Sequence, residues 1–137
     1  MNIRNAVMSD LDEIASVEAE CFPPAEAASK EELAERIKCY GNHFWLMFDG
    51  ENLAAFVDGF VTDEQDLTDE MYERASLHNE NGAWQMIFGV NTILAYRRRG
   101  FAGELIKCAI NDAQKQNRKG IVLTCKPELI AYYAKFG

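Results

Sequence analysis

The sequence predicts an α/β fold, a mixed central sheet with helices packed against it. Three observations lead there. Short apolar runs rich in aromatic and branched residues alternate with amphipathic stretches about ten or more residues long. The run at 83–92 is apolar on both faces, as in a strand covered on each side. After it come an amphipathic stretch and a second short apolar run at 121–125, and a strand, crossover helix and strand give a parallel pair.

Taken in order, residues 3–7 alternate weakly and suit a first strand. Ser9, with Asp12 three residues on, resembles a capping box and predicts a helix whose inner face is Leu11, Ile14, Ala15 and Ala19. Pro23 and Pro24 stop it, leaving 21–28 as a loop. Ser29 with Glu32 forms a second capping box; Leu33, Ile37 and Tyr40 are the buried stripe of that helix, and Gly41 its C′ residue. Residues 43–48 read as a strand, Asp49-Gly50 as a hairpin turn, and 53–61 as the return strand.

A polar stretch, 62–82, follows. A helix starts in it near Thr68, with Met71, Ala75 and Leu77 as an apolar edge. Its acids, Asp63, Glu64, Asp66, Asp69, Glu70 and Glu73, read as a solvated surface. The strand at 83–92 is interrupted by Gly89, a sign of a bulge or of close backbone approach. The helix after the next loop carries Leu105, Ile106, Ala109, Ile110 and Ala113 on one face, and Gly120 ends it. Pro127 opens a last helix with the stripe Leu129, Ile130, Tyr133 and Phe136.

The length of 137 residues suits one domain with a real core. A formal net charge of −8 argues against a nucleic-acid binder and is compatible both with steering a cationic small molecule and with simple solubility. No apolar run approaches the roughly 18 residues of a membrane span, and the first residues lack the apolar core of a secretion signal. Cys21, Cys39, Cys108 and Cys125 are scattered without a C-x-x-C pair and read as free thiols of a reducing, cytoplasmic compartment. His43 and His78 are not at ligand spacing with them, so both read as surface or loop residues and no metal is expected.

The stretch that concentrates chemistry is Tyr96-Arg97-Arg98-Arg99-Gly100-Phe101-Ala102-Gly103. It joins the most apolar strand to an amphipathic helix. The first amides of a helix have no intrahelical partner, and glycines let them face outward without a Cβ in the way. Such a turn at the positive end of a helix dipole is an anion site. The Walker string G-x-x-x-x-G-K-[ST] and the dinucleotide fingerprint G-x-G-x-x-G are both absent.

The spacing Arg97-x-x-Gly100-x-Ala102, with Gly103 beside it, resembles the acyl-CoA pyrophosphate signature of the GCN5-related N-acetyltransferase (GNAT) family, and the element order matches that family along the whole chain. The strings Cys21-Phe22-Pro23-Pro24-Ala25-Glu26, Leu67-Thr68-Asp69-Glu70-Met71 and Tyr132-Tyr133-Ala134-Lys135-Phe136-Gly137 resemble its arylalkylamine N-acetyltransferase branch and bacterial relatives. The resemblance implies a single N-acetyltransferase domain, 1–137, that moves an acetyl group from acetyl-CoA to a small amine by direct attack in a ternary complex. It implies that the backbone of Phe88, Gly89 and Val90 pairs with the pantetheine arm and that Arg98, Arg99, Gly100, Phe101, Ala102 and Gly103 hold the pyrophosphate. Tyr133 is implied as the acid that protonates the departing thiolate; its other reading is a core tyrosine on an amphipathic helix.

Departures from the family pattern set further expectations. The branch's two catalytic histidines correspond here to Met86 and Phe88, so its usual base is missing. Glu20 and Glu26 are substitutes near the substrate loop, where Phe22 and Glu26 would contact the acceptor; either carboxylate also reads as an ordinary exposed one. Leu94 stands where a proline often precedes the anion loop. The family continues past the last helix with two more strands, so the domain is expected to be shortened at its C-terminal end, and an uncovered sheet edge would invite a homodimer. Two alternatives stay open: a non-catalytic CoA-binding module of the same fold, and a peptide N-terminal acetyltransferase.

Overall fold

The computed structural model describes residues 1–123, so Cys125, Tyr133 and the helix expected from Pro127 lie outside the described residues. The chain runs β1 (Asn2–Arg4), α1 (Leu11–Cys21), α2 (Lys30–Tyr40), β2 (Phe44–Asp49), β3 (Asn52–Asp58), β4 (Val61–Thr62), α3 (Asp69–Glu73), β5 (Trp84–Ile87), β6 (Gly89–Thr92), α4 (Phe101–Lys115) and β7 (Gly120–Leu123). The mixed α/β architecture is the one expected. Strands β1-β2-β3-β6 form an antiparallel sheet, and β4-β5-β7 a second one in which β5 and β7 are parallel.

Both long strands expected from the sequence are divided. The return strand breaks after Asp58, and the apolar run 83–92 breaks at Phe88, so each feeds one half into each sheet. The pairing explains why. Asp58 stands opposite Gly89 and Val61 opposite Gln85, so two residues, Gly59 and Phe60, face three, Met86 to Phe88. That is a β-bulge, and it bends the strand that carries it. The phase of the side chains shifts with it. Met86 and Phe88 pack into one apolar cluster, Ile87 and Val90 into the other.

The first cluster lies under α1 and α2 and holds Ile14, Val17, Leu33, Tyr40, Phe44, Phe56 and Phe60. The second lies under α4 and holds Trp45, Met47, Val57, Leu105, Ile106 and Ala109. Sheets covered on both faces need strands apolar on both faces, which is how β2 and β3 read.

Helix boundaries follow local chemistry. At α2 the expected capping box is present: Ser29 Oγ accepts from the Glu32 amide at 3.1 Å and Glu32 Oε1 accepts from the Ser29 amide at 2.9 Å. Ser9 does not cap α1. It sits in a 3-10 turn, and Asp10 instead accepts from the Val7 amide at 2.9 Å while pairing with Arg4 at 2.7 Å. Ala19 faces solvent, and Val17 and Glu18 are buried in its place. Gly41 is not a left-handed C′ residue (φ −54°); an added Cβ there would lie 2.8 Å from the Ala6 carbonyl oxygen.

Helix α4 ends at Lys115 rather than near Gly120. Asn117 takes φ 59°, its amide bonds the Gln114 carbonyl and that of Arg118 the Ala113 carbonyl, a Schellman closure with asparagine as the left-handed residue. Gly120 begins β7 against the Trp84 ring. Strand β1 is shorter than expected, Asn2–Arg4. The acids of the 62–82 stretch are exposed as expected, Met71 and Ala75 are buried, and Leu77 is exposed.

Neither histidine is a bare surface residue. His43 is 1% exposed and His78 half-buried. Burial draws them together with Glu80: His43 Nε2 and His78 Nε2 each lie 3.0 Å from Glu80 Oε1. The donor atoms of the three residues fall within 4.8 Å of one another, close enough to hold a metal. The ring protons argue otherwise. The Val61 amide donates to His78 Nδ1 at 3.0 Å, so the neutral ring carries its proton on Nε2, the atom a metal would need. Arg118 closes the cluster from the other side, 3.1 Å from Glu80 Oε2. Burial pushes the His78 ring below its ordinary value, and the hydrogen bond to Glu80 pulls it back.

Candidate active site

The bulge places the site. Phe88 donates its amide to the Asp58 carbonyl at 2.7 Å, and β5 runs beside β7 through the pair Ile87 and Leu123, the last described residue. Beyond the bulge, β6 pairs with β3. The chain then turns through Tyr96 and the three arginines into α4.

At that turn Arg98 takes φ 65° and Gly100 φ 80°. Gly100 is the residue before the helix, and its carbonyl accepts the Glu104 amide at 3.0 Å. Among the described residues the amides of Arg98, Arg99, Gly100, Phe101, Ala102 and Gly103 have no protein acceptor. Gly103 is buried, Phe101 and Ala102 half-buried, and Arg98, Arg99 and Gly100 exposed. Two arginines also brace the turn itself: Arg97 Nε bonds the Thr92 carbonyl at 2.9 Å and Arg99 stacks 5.4 Å from the centre of the Tyr96 ring. The Tyr96 hydroxyl in turn donates to Asp49 at 2.8 Å. Amides at a helix N-terminus with arginines nearby are an arrangement suited to an anion.

Facing the bulge from the α1 and α2 side is a group of buried polar side chains that no sequence pattern indicated. Glu18 on α1, Arg36 and Tyr40 on α2, Asp58 on β3 and Asn91 on β6 are each between 0% and 5% exposed. Arg36 donates to Asp58 Oδ2 at 3.2 Å and to the Tyr72 carbonyl at 2.9 Å, and its guanidinium lies 5.4 Å from the centre of the Phe88 ring. Glu18 Oε2 accepts the Ala28 amide at 2.9 Å, which ties the loop between α1 and α2 to the cluster. An added Cβ on Gly89 would come 2.9 Å from Asp58 Oδ1, 3.1 Å from Asn91 Nδ2 and 3.9 Å from Glu18 Oε1. So the glycine that interrupts the strand opens its backbone onto two carboxylates and a carboxamide.

The electrostatics follow from burial. Burial pushes the Glu18 carboxyl up to about 6; the Ala28 amide, the Arg36 charge and the Asn91 side chain pull it down, and the Asp58 charge adds to the rise. Burial also raises Asp58, against the Arg36 guanidinium that draws it down. The Tyr40 hydroxyl is raised well above its ordinary range by the same burial.

Other residues singled out from the sequence lie apart. Glu20 accepts the Leu94 amide at 3.1 Å and so fastens α1 to the anion turn. Glu26 is exposed and Phe22 half-buried at the end of α1. The Phe88 ring points into an aromatic group, 5.0 Å from the Phe60 centroid and 4.8 Å from that of Tyr72. Tyr133 is outside the described residues. The only sequence trace of the cluster is polar residues at 18, 36, 58 and 91 within otherwise apolar faces.

Comparison with known proteins agrees with this geometry. The sequence pattern of the acetyltransferase (GNAT) family matches residues 11–137. A search of curated proteins gives no match. Among solved structures, the GphF GNAT-like decarboxylase in complex with isobutyryl-CoA is 23% identical, with a TM-score of 0.80 over 100% of this chain and 73% of that one. The loading GNATL domain of CurA from Lyngbya majuscula is 17% identical, with a TM-score of 0.83 over 97% of this chain and 68% of that one. The ribosomal-protein-S18-alanine N-acetyltransferase from Escherichia coli is 16% identical, with a TM-score of 0.72 over 99% of this chain and 76% of that one.

Proposed function

The chain belongs to the acetyltransferase (GNAT) family, and from that premise we propose that it is an N-acetyltransferase that carries an acetyl group from acetyl-CoA to a small amine. The observation that carries the reading is the continuity of bulge and turn. Within one stretch, 88–103, the chain passes from a bulged, glycine-opened strand to a helix N-terminus whose amides have no protein acceptor among the described residues. An acyl-CoA laid along that stretch has its thioester at the bulge, beside Phe88, Gly89 and Val90, and its diphosphate at Arg98 to Gly103. A relative of the same fold binds isobutyryl-CoA, which supports an acyl-CoA as cosubstrate.

The chemistry is direct. The amine nitrogen attacks the thioester carbonyl, the C–N bond forms as the C–S bond breaks, and the electron pair leaves on sulfur. Holding both reactants in line supplies several kcal/mol of the acceleration, on the order of 7 or more in favourable cases. Strand amides at the bulge polarise the carbonyl. Cys21 does not suit an acyl-enzyme route: its thiol lies 3.4 Å from the Thr92 carbonyl, and burial raises its pKa.

Thiol release from acetyl-CoA against a panel of primary amines and short peptides tests the reading. Turnover with amines supports it, and turnover with peptides alone moves the assignment to an N-terminal acetyltransferase. Tight CoA binding without turnover of any acceptor makes the chain a CoA-binding module. One comparison favours a further arm. Because a GNAT-like decarboxylase shares the fold at a TM-score of 0.80, malonyl-CoA belongs in the panel, with carbon dioxide release as its readout.

A further inference from the structure

We propose that Glu18 is the proton acceptor for the attacking amine and that Asp58 seats the amino group beside it; the assignment rests on the reading of this chain as an amine acyltransferase. Among the described residues, the buried side-chain atoms without a hydrogen-bond partner are Glu18 Oε1, Arg36 Nε, Tyr40 OH, Asp58 Oδ1 and both polar atoms of Asn91. All of them belong to this one cluster. Leaving a buried polar atom unpaired is costly, so a concentration of them points to a place where another molecule completes the bonding. Two of the atoms are carboxylate oxygens, Glu18 Oε1 and Asp58 Oδ1, and both border the gap at Gly89. An ammonium offers N–H donors to both.

Charge points the same way. Arg36 is committed to Asp58 and to the Tyr72 carbonyl, so Glu18 is the carboxylate without a cation of its own. The charged and titratable groups that face it are Asp58 on β3 and Arg36 on α2, with Tyr40 set against that pair and the neutral Asn91 alongside. Met86 and Phe88, beside the bulge, carry no group that takes up a proton. Met86 is fully buried and Phe88 is packed among rings. Glu18 Oε1 instead approaches the bulge through the gap left by the Cβ that Gly89 lacks.

The proton balance is complete with this residue. A primary ammonium gives one proton to Glu18 Oε1, and the freed lone pair forms the C–N bond. As the thioester collapses, the second proton leaving nitrogen neutralises the thiolate of CoA. Glu18 then returns its proton to solvent. A carboxyl held near 6 is ionised at neutral pH and still basic enough to share the proton during attack.

The test compares the unmodified protein with Glu18→Gln, which keeps an acceptor for the Ala28 amide, using acetyl-CoA with tryptamine and n-butylamine as probe amines. The expected result is unchanged acetyl-CoA affinity by calorimetry, kcat lowered about 100-fold, and absence in the variant of a rise in kcat near pH 6 that the unmodified enzyme is expected to show. A carbon-13 titration of the unmodified protein needs no variant: the Glu18 carboxyl signal in the CoA complex should shift when tryptamine is added. Wild-type rate and pH profile in Glu18→Gln would overturn the assignment while leaving the acyltransferase reading intact, and so would a Glu18 signal indifferent to an amine that the protein acetylates. Absence of acetyl-CoA binding by the unmodified protein would remove both.

Discussion

Gly59 passes so close to Met86 that a Cβ on Gly59 would collide with the Met86 carbonyl oxygen. This crossing is where both long strands change sheets, and neither backbone can move without dragging its sheet along. Gly59→Ala should therefore destabilise by about 3 kcal/mol or more, as clashes at a well-packed site do. Urea unfolding followed by circular dichroism measures it, and a loss under about 1 kcal/mol would mean that the crossing is slack.

Arg36 and Asp58 are a buried ion pair with side chains 6% and 0% exposed. Such a pair adds little net stability when intact, but removing one partner strands the other. Arg36→Met, which keeps much of the apolar stem, should cost about 3 to 5 kcal/mol at neutral pH. The loss should shrink with acid as Asp58 takes up a proton, and denaturation at two pH values would reveal the trend.

Glu18 and His78 predict opposite pH limbs. Burial raises the Glu18 carboxyl from 4.5 to about 6, so the folded state binds its proton more tightly than the unfolded one. Its contribution is fully present below 4.5 and fades as pH rises through about 6. His78 is lowered from 6.5, so the folded state favours the neutral ring, and its contribution fades as pH falls below 6.5 through the folded value. Glu18→Gln should remove the Glu18 limb and keep that of His78. It should also stabilise the protein at pH 7 by up to about 2 kcal/mol, since one pKa unit corresponds to about 1.4 kcal/mol. Isothermal denaturation from pH 4.5 to 7.5 tests both signs, and a destabilised Glu18→Gln at pH 7 would contradict them.

Gly100 separates folding from ligand binding. At φ 80° with nothing within 4 Å of an added Cβ, alanine there meets strain but no clash. Gly100→Ala should cost about 1 to 2 kcal/mol of stability. If the turn receives the diphosphate, CoA affinity should fall by roughly tenfold or more, as the amides shift from a converging arrangement. Calorimetry beside thermal melts gives both numbers, and unchanged affinity would move the diphosphate elsewhere.

Local chemistry made part of this molecule legible in advance. The Ser29–Glu32 box, the Asp49–Gly50 hairpin and the start of α4 after Gly100 each rest on contacts a few residues apart, and each is where the sequence places it. The interruption of the 83–92 run was legible in Gly89, and the structure has its bulge there. The break at Gly59 escaped because that run is apolar on two faces, so alternation carried no phase to lose. Glu18 and Arg36 escaped for a different reason. A polar residue on a helix reads as solvated until the neighbouring strand supplies Asp58 and Asn91 from 22 or more positions away. The pairing of His43 with Glu80 across 37 residues is hidden in the same way.

The extra residue between Trp84 and Thr92 acts as a phase shifter. Deleting one position there would leave the upstream half in step with β7. Downstream it would carry Asn91 across to the α4 side of the sheet and bring an apolar neighbour beneath Glu18 and Asp58. Val90 would then stand in the place of Gly89 and Thr92 in that of Asn91, so the two carboxylates would lose their carboxamide neighbour though every other residue stayed the same. The polar character of this region thus depends on counting along the backbone as much as on which side chains are present.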